Sequence, residues 1–226
     1  MQAMEWWEPD TFVCLGDMAD FYKISRFPKS PLREENFDAE VDSVNQGLDE
    51  IDSLSSLSRK IFIEGNHEHR LTRYLQEKAP ELFSFVNTQK LFKLEERGYE
   101  FVPYRESIKV GKLWITHDVG TAGRYSVFRA ADTFQHPVVM AHTHRLVYIV
   151  EGNATGEHFP AAQFGWMGDV EKVDYAHKVV AQRSWSLAFG TGLLYPETGI
   201  VHLTPHPIVA HEGKFSVVLD GRRFAT

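Results

Sequence analysis

The sequence predicts an α/β domain with two packed sheets, and three observations carry that prediction. In the first half, short β-branched and aromatic runs alternate with stretches of helical periodicity. From about residue 99 the runs are mostly strand-like, with a single helical stretch among them. No internal repeat, low-complexity stretch or linker divides the 226 residues. Sheets covered by helices bury the apolar faces of both halves.

The elements follow in order. Met1 to Glu8 has helical composition and is stopped by Pro9. Thr11 to Leu15 is a buried strand ending at Gly16-Asp17, followed by a polar loop containing Pro28 and Pro31. Val41, Val44, Leu48, Ile51 and Leu54 recur at helical spacing. Lys60 to Ile63 is the next strand, ending at Gly65-Asn66, and Glu68 to Lys78 is helical up to Pro80. Strands are predicted at Tyr99 to Tyr104, Ser107 to Val110 and Lys112 to Thr116, with Gly111 turning between the last two. A helix at Tyr125 to Phe134 leads to strands at Pro137 to Met140 and Arg145 to Val150. Further strand-like runs fall at Ser184 to Phe189, Gly199 to Leu203 and Lys214 to Leu219. One domain over residues 1–226 is expected, with a motif-bearing core at about residues 10–150 and residues 151–226 completing the second sheet.

Composition narrows the class. A chain of this size buries about 70% of its unfolded surface and needs no disulfide staple, consistent with a single cysteine, Cys14. No apolar run reaches the ~20 residues that cross a bilayer, and the N-terminus lacks signal-peptide character, so a soluble cytoplasmic protein without a membrane partner is expected. The 24 basic and 31 acidic residues give a net charge of −7, which argues against generic nucleic-acid binding by a basic surface. Eleven histidines remain to be explained.

Four polar clusters each follow a predicted strand: Gly16-Asp17-Met18-Ala19-Asp20, Gly65-Asn66-His67-Glu68, Thr116-His117-Asp118 and Ala141-His142-Thr143-His144. Ligands of α/β sheets bind at the carboxyl ends of strands, so the clusters can converge. They bring carboxylate, amide and imidazole without thiolate, a donor set suited to Mn, Fe or Zn. In extended backbone His142 and His144 would point to the same side. Taken singly, each cluster has an ordinary reading as a turn, an exposed strand pair or a helix cap with Asn66 as N-cap. Four such accidents at four strand ends would have to coincide.

The order Gly-Asp-x-x-Asp, Gly-Asn-His-Glu, strand-end His and His-x-His resembles the calcineurin-like metallophosphoesterase family over residues 16 to 144. The resemblance implies a four-layer α/β/β/α sandwich holding two divalent ions, with Mn favoured. It implies that Asp17 bridges the ions, that Asn66, His117 and His142 complete one site, and that His144 serves the other. His67 would protonate the leaving alkoxide or stabilise the phosphoryl oxygens. Ala141 stands where the family usually has Gly. The family's first strand ends in Asp-x-His, and no such motif precedes Asp17. By this mapping one site keeps four protein ligands, and the other keeps only Asp17 and His144. The expectation is that the first strand is missing because the chain starts late, Met1 to Glu8 being the tail of the helix after it. The alternatives are a one-metal protein or a non-enzyme.

The implied activity is hydrolysis of a phosphomonoester, phosphodiester or nucleotide by attack of a metal-bound water. Asp20, Glu68 and Asp118 are candidates to orient the ligands. Lys23, Arg26, Lys29 and Arg33, interleaved with Phe21, Tyr22 and Phe27, form a basic loop able to grip a phosphate chain or stack a base, with Arg70 one turn past the second cluster. Trp166 and Trp185 are expected to shape one rim of the cleft. The other class of reading is a catalytically impaired scaffold of the same fold. Substrate, metal and oligomeric state are not encoded legibly.

Overall fold

The computed structural model describes residues 1–29, 36–169 and 184–226; Pro31, Arg33 and His177 lie outside the described residues. The chain divides into two compact units, Met1–Glu106 and Ser107–Thr226.

The first unit opens with α1 (Gln2–Trp7), closed by Glu8 in left-handed conformation just before Pro9. It continues with β1 (Thr11–Cys14), a 3₁₀ turn at Tyr22–Ile24, α2 (Phe37–Asp52) and β2 (Arg59–Ile63). Then come α3 (His69–Lys78), a 3₁₀ turn at Pro80–Leu82, α4 (Thr88–Leu91) and β3 (Tyr99–Val102). Asn36 and Asn87 cap α2 and α4, their side chains accepting from Ala39 N and Lys90 N. The three strands form a parallel sheet in the order β1-β2-β3, with Cys14 opposite Phe62 and Phe62 opposite Phe101. Parallel neighbours need crossovers, which α2 supplies for the first pair and α3 with α4 for the second. The helices bury their apolar stripes on the sheet: Val44 and Leu48 of α2 and Leu71 and Leu75 of α3 join Phe62, Phe92 and Leu94 in one core.

Phe21 and Tyr22 belong to this unit's interior. Phe21 is fully buried, 5.0 Å from Phe37 and 5.9 Å from Phe92 between ring centroids. The expectation that these aromatics stack a nucleobase is therefore corrected: their apolar area is already spent on the core. Phe27 alone of the three is exposed.

The second unit contains β4 (Ser107–Val110), β5 (Leu113–Thr116), α5 (Ser126–Phe134), β6 (Val138–Met140), β7 (Leu146–Gly152) and β8 (His158–Phe164). Their sheet runs β4-β5-β6-β8-β7, with β5, β6 and β8 parallel and the two edge strands antiparallel. Helix α5 packs Val127, Ala130 and Ala131 against Val138, Met140 and Ala161, small residues allowing close approach. Strand β8 carries no clear alternation and contains Pro160, which hid it from periodicity. Pro160 stands opposite Val150 in the ladder with β7 but one residue outside the stretch Ala161–Gln163 that pairs with β6.

The remaining strands are β9 (Ala188–Tyr195), β10 (Ile200–Pro207), β11 (Val209–His211), β12 (Lys214–Leu219) and β13 (Arg222–Ala225). Of the segment expected to complete the second sheet, β8 does so. Among the described residues β9 and β10 form a separate hairpin and β11 to β13 a separate meander, because tight turns let each strand pair with its chain neighbour. The strand expected at Ser184 to Phe189 starts later, at Ala188, and runs through Gly190 and Gly192. Gly190 marks close packing here: a Cβ would lie 2.2 Å from the Phe164 ring. No helix among the described residues is long and apolar enough to cross a membrane.

Phe62 is fully buried at the centre of the parallel sheet. Phe62→Ala is expected to cost about 3–5 kcal/mol in denaturant-induced unfolding. A loss under 1 kcal/mol would contradict the core described for this unit.

Candidate metal centre

Each unit carries its own share of the predicted donors, at strand ends. In the first unit, β1 and β2 are parallel neighbours in register, so the loops leaving their carboxyl ends lie side by side. The β1 loop turns through Gly16 (φ 88°) and Asp17 (φ 58°), both left-handed, a conformation that glycine adopts freely and Asp tolerates better than most residues. The β2 loop runs Glu64-Gly65-Asn66-His67-Glu68 into α3.

Glu68 joins the two loops. Its carboxylate is fully buried and accepts three backbone N–H bonds of 2.9 Å: Oε2 from Asp17 and Gly65, and Oε1 from Ala19. Asp17 Oδ1 in turn accepts the His67 N–H at 2.9 Å. The loops approach so closely that a Cβ on Gly65 would lie 2.2 Å from Asp17 Oδ1 and 2.4 Å from Asp17 N. Gly65 is needed for this contact. The helix-cap alternative is not what is found: Glu68 occupies the N-cap position of α3 and makes no side-chain cap bond. Asn66 sits half-buried at the apex of the loop.

His67 is held from both ring nitrogens. Nδ1 lies 2.8 Å from Asp20 Oδ1, and Nε2 lies 3.1 Å from Arg70 Nη2. A guanidinium only donates, so Nε2 accepts, and the neutral ring carries its proton on Nδ1 toward Asp20. Arg70, itself buried, also donates from Nη1 to the Asp20 carbonyl at 2.6 Å and to Asp20 Oδ1 at 2.5 Å. Asp20 thus orients His67, the residue expected to meet the substrate. The loop holding Asp20 is fixed by Glu40 of α2, whose Oε1 accepts the Asp20 and Phe21 N–H groups at 2.5 and 2.8 Å. Sequence reasoning missed Glu40. It sits in a helix first turn, where an acid has an ordinary role with the helix dipole.

In the second unit, His117 follows β5 and is fully buried. Its carbonyl accepts the Ala141 N–H at 2.9 Å, tying the end of β5 to the loop after β6. The His117 and His142 rings pack edge-to-face with centroids 5.4 Å apart, and a ring nitrogen of each lies within 4.8 Å of the other. His142 (φ 69°) and His144 (φ 57°) are both left-handed, and Thr143 N–H bonds back to the Ala141 carbonyl at 2.8 Å. The expectation of an extended His-x-His is therefore corrected. Strand β6 stops at Met140, and the backbone winds into a tight turn that redirects each imidazole separately. Thr143 is buried between them and donates to Gln163 Oε1 at 2.8 Å. His144 lies 5.1 Å from Trp166 and 4.7 Å from Trp185 between centroids, in an aromatic corner. Asp118 is buried and bends its own loop, Oδ1 accepting from Gly120 N–H at 2.6 Å.

The basic loop is only partly available. Lys29 Nζ donates within the loop to the Ser25 carbonyl, to Ser25 Oγ at 2.6 Å and to the Phe27 carbonyl at 2.9 Å. Lys23, Arg26 and Arg70 line a common cleft. Of the background histidines, His206 is buried and structural, bonded to Thr191 Oγ1 at 2.8 Å and to the Val218 carbonyl at 3.1 Å. His69 packs on Tyr104 with centroids 4.9 Å apart.

A family model, calcineurin-like phosphoesterase, matches residues 3–180. The chain belongs to that family. The Gene 54 protein of Mycobacterium phage L5 is 28% identical over 154 residues, covering 61% of this chain and 58% of its own length. The Gene 54 protein of Mycobacterium phage D29 is 26% identical over 221 residues, covering 93% of this chain and 85% of its own.

Burial pushes the Cys14 thiol, one strand-end from Asp17, up to about 12. At pH 8 it remains protonated, so a disulfide reagent should modify Cys14 at least tenfold more slowly in the folded protein than in denaturant. Equal rates would show that the β1 end is open. Gly65→Ala should cost about 1–3 kcal/mol of stability by forcing the two loops apart; an unchanged denaturation midpoint would contradict the close approach.

Proposed function

We propose that the protein is a divalent-metal-dependent phosphoesterase of the four-layer sandwich type. Asp17 would bridge two ions, Asn66, His117 and His142 would complete one site, and His144 would belong to the other. Mn is the favoured metal. The observation that carries the reading is the stapled pair of loops: a buried glutamate holds Asp17 at the end of β1 against the Gly-Asn-His turn at the end of β2. Family membership supports it, and so does the donor chemistry, a carboxylate, an amide and imidazoles that suit a hard or borderline dication. Bound ions supply Lewis acidity toward a phosphoryl oxygen and an attacking water.

The chain's own residues contribute orientation and a proton path. Asp20 accepts the Nδ1 proton of His67, and this fixes the ring plane and leaves Nε2 as the substrate-facing atom. Arg70 occupies that lone pair at 3.1 Å. His67 can therefore stabilise a phosphoryl oxygen or hand a proton to a leaving alkoxide only when Nε2 is protonated and Arg70 has drawn aside. A phosphate oxygen that accepts from Arg70 would favour that rearrangement.

The purified protein with Mn²⁺ should hydrolyse an aryl phosphate or a bis-aryl phosphate, and chelation should remove the activity. Asp17→Ala should abolish turnover, and His67→Ala should lower kcat by about 10²–10⁴-fold. Full activity in His67→Ala would remove its assigned role. One tightly bound metal and no turnover at any metal concentration would favour the non-catalytic scaffold.

A further inference from the structure

A cationic cleft of about 210 Å³ lies within the first unit, between the 3₁₀ turn at Tyr22–Ile24 and one face of α3. Helical spacing brings Arg70, Arg73, Glu77 and Lys78 to that face, and Lys23 and Arg26 close it from the loop. Among the described residues five cations thus line it, with one carboxylate, Glu77, which pairs with Arg26. Arg70 is turned toward Asp20 and His67.

Arg73 carries the unspent donor of the cleft. Arg73 Nε is buried and donates to nothing among the described residues. Burial, and then the neighbouring guanidiniums of Arg26 and Arg70, hold Arg73 below its ordinary value. Burial and Arg70 do the same to Lys29. Like charges gathered beside an orphaned buried donor favour an anion that can accept from it. The cleft shares Arg70 with His67, so its occupant would sit beside the proposed chemistry.

We propose that this cleft holds a phosphate group of the substrate other than the one hydrolysed, so that the preferred substrates carry two or more phosphates. The assignment of a substrate rests on the phosphoesterase reading; the anion site itself does not. Forked guanidinium donors match phosphate oxygens two at a time, and the lysines add charge without demanding geometry. An anion engaging Arg70 would also loosen its hold on His67 Nε2.

The test uses chelator-treated protein, so that no metal competes for the anion. Calorimetric titration with inorganic phosphate, pyrophosphate and a nucleoside diphosphate should show saturable binding, tighter for the two diphosphates. The double variant Arg73→Ala, Lys78→Ala should weaken pyrophosphate binding at least tenfold, whereas Lys109→Ala, which removes a cation of β4, should not. Arg73→Gln, Lys78→Gln gives a second, shape-conserving variant, with thermal melting to verify folding. No saturable binding, or the same Kd in the folded double variants, would overturn the proposal. Binding of a 5′-phosphorylated single-stranded oligonucleotide without binding of pyrophosphate would also overturn it, in favour of a nucleic-acid surface. The aryl phosphate assay with Mn²⁺ decides the phosphoesterase reading separately, so failure of one leaves the other standing.

Discussion

The Glu68 carboxylate is buried, and three backbone N–H groups donate to it. A carboxylate in such a place would be expensive if those bonds were missing. The loops after β1 and β2 must therefore adopt the conformation that supplies the N–H groups. That requirement accounts for much of the local structure: the left-handed turn through Gly16 and Asp17, the absence of a side chain at Gly65, and the Asp17 carboxylate fixed on the His67 N–H. Glu40 repeats the device one step outward by collecting the Asp20 and Phe21 amides. Two carboxylates, one in α2 and one at the N-cap of α3, thus organise the loop that also packs Ala19 and Phe21 into the core.

From that frame the polar chain continues as Asp20, His67 and Arg70, and then into the cationic cleft. Arg70 is the pivot, since one end of its guanidinium is bonded to Asp20 and the other to His67 while its stem lines the cleft. The second unit is built differently. There backbone turns set the donors: His142 and His144 lie in the left-handed region, and His144 packs against Trp166 and Trp185. Ordinary residues in that region carry strain, and such strain tends to be kept where a side chain must be aimed.

How much of this was legible depended on whether the signal was local. Strands β1, β2, β4, β5 and β6 and helices α2, α3 and α5 announce themselves by period and by glycine or proline stops, and the clusters after them are read directly from the chain. Two kinds of feature escaped. One depends on tertiary placement: Pro160 and Gly190 look like breakers, yet the first falls just outside the ladder with β6 and the second makes room for the Phe164 ring. The other depends on backbone conformation. The alternation in Ala141-His142-Thr143-His144 suggests an extended strand, but β6 ends at Met140, and nothing in the residue types encodes two left-handed histidines one residue apart. Phe21 and Tyr22 lie among cations, a pattern open to base stacking, yet burial decides their role. Glu40 was invisible because its partners are backbone amides twenty residues away.

Glu68 positions the loop that carries Asp17, the proposed metal ligand, and calorimetric titration of Mn²⁺ into Glu68→Gln and wild-type protein tests this most directly. Glutamine keeps the volume but turns one accepting oxygen into a donor that faces a backbone N–H, so the staple must loosen. With the variant shown to be folded by circular dichroism, Mn²⁺ affinity is expected to fall by about 10–100-fold, as when other supports of a metal ligand are removed. An affinity equal to that of the wild type in the folded variant would contradict the account.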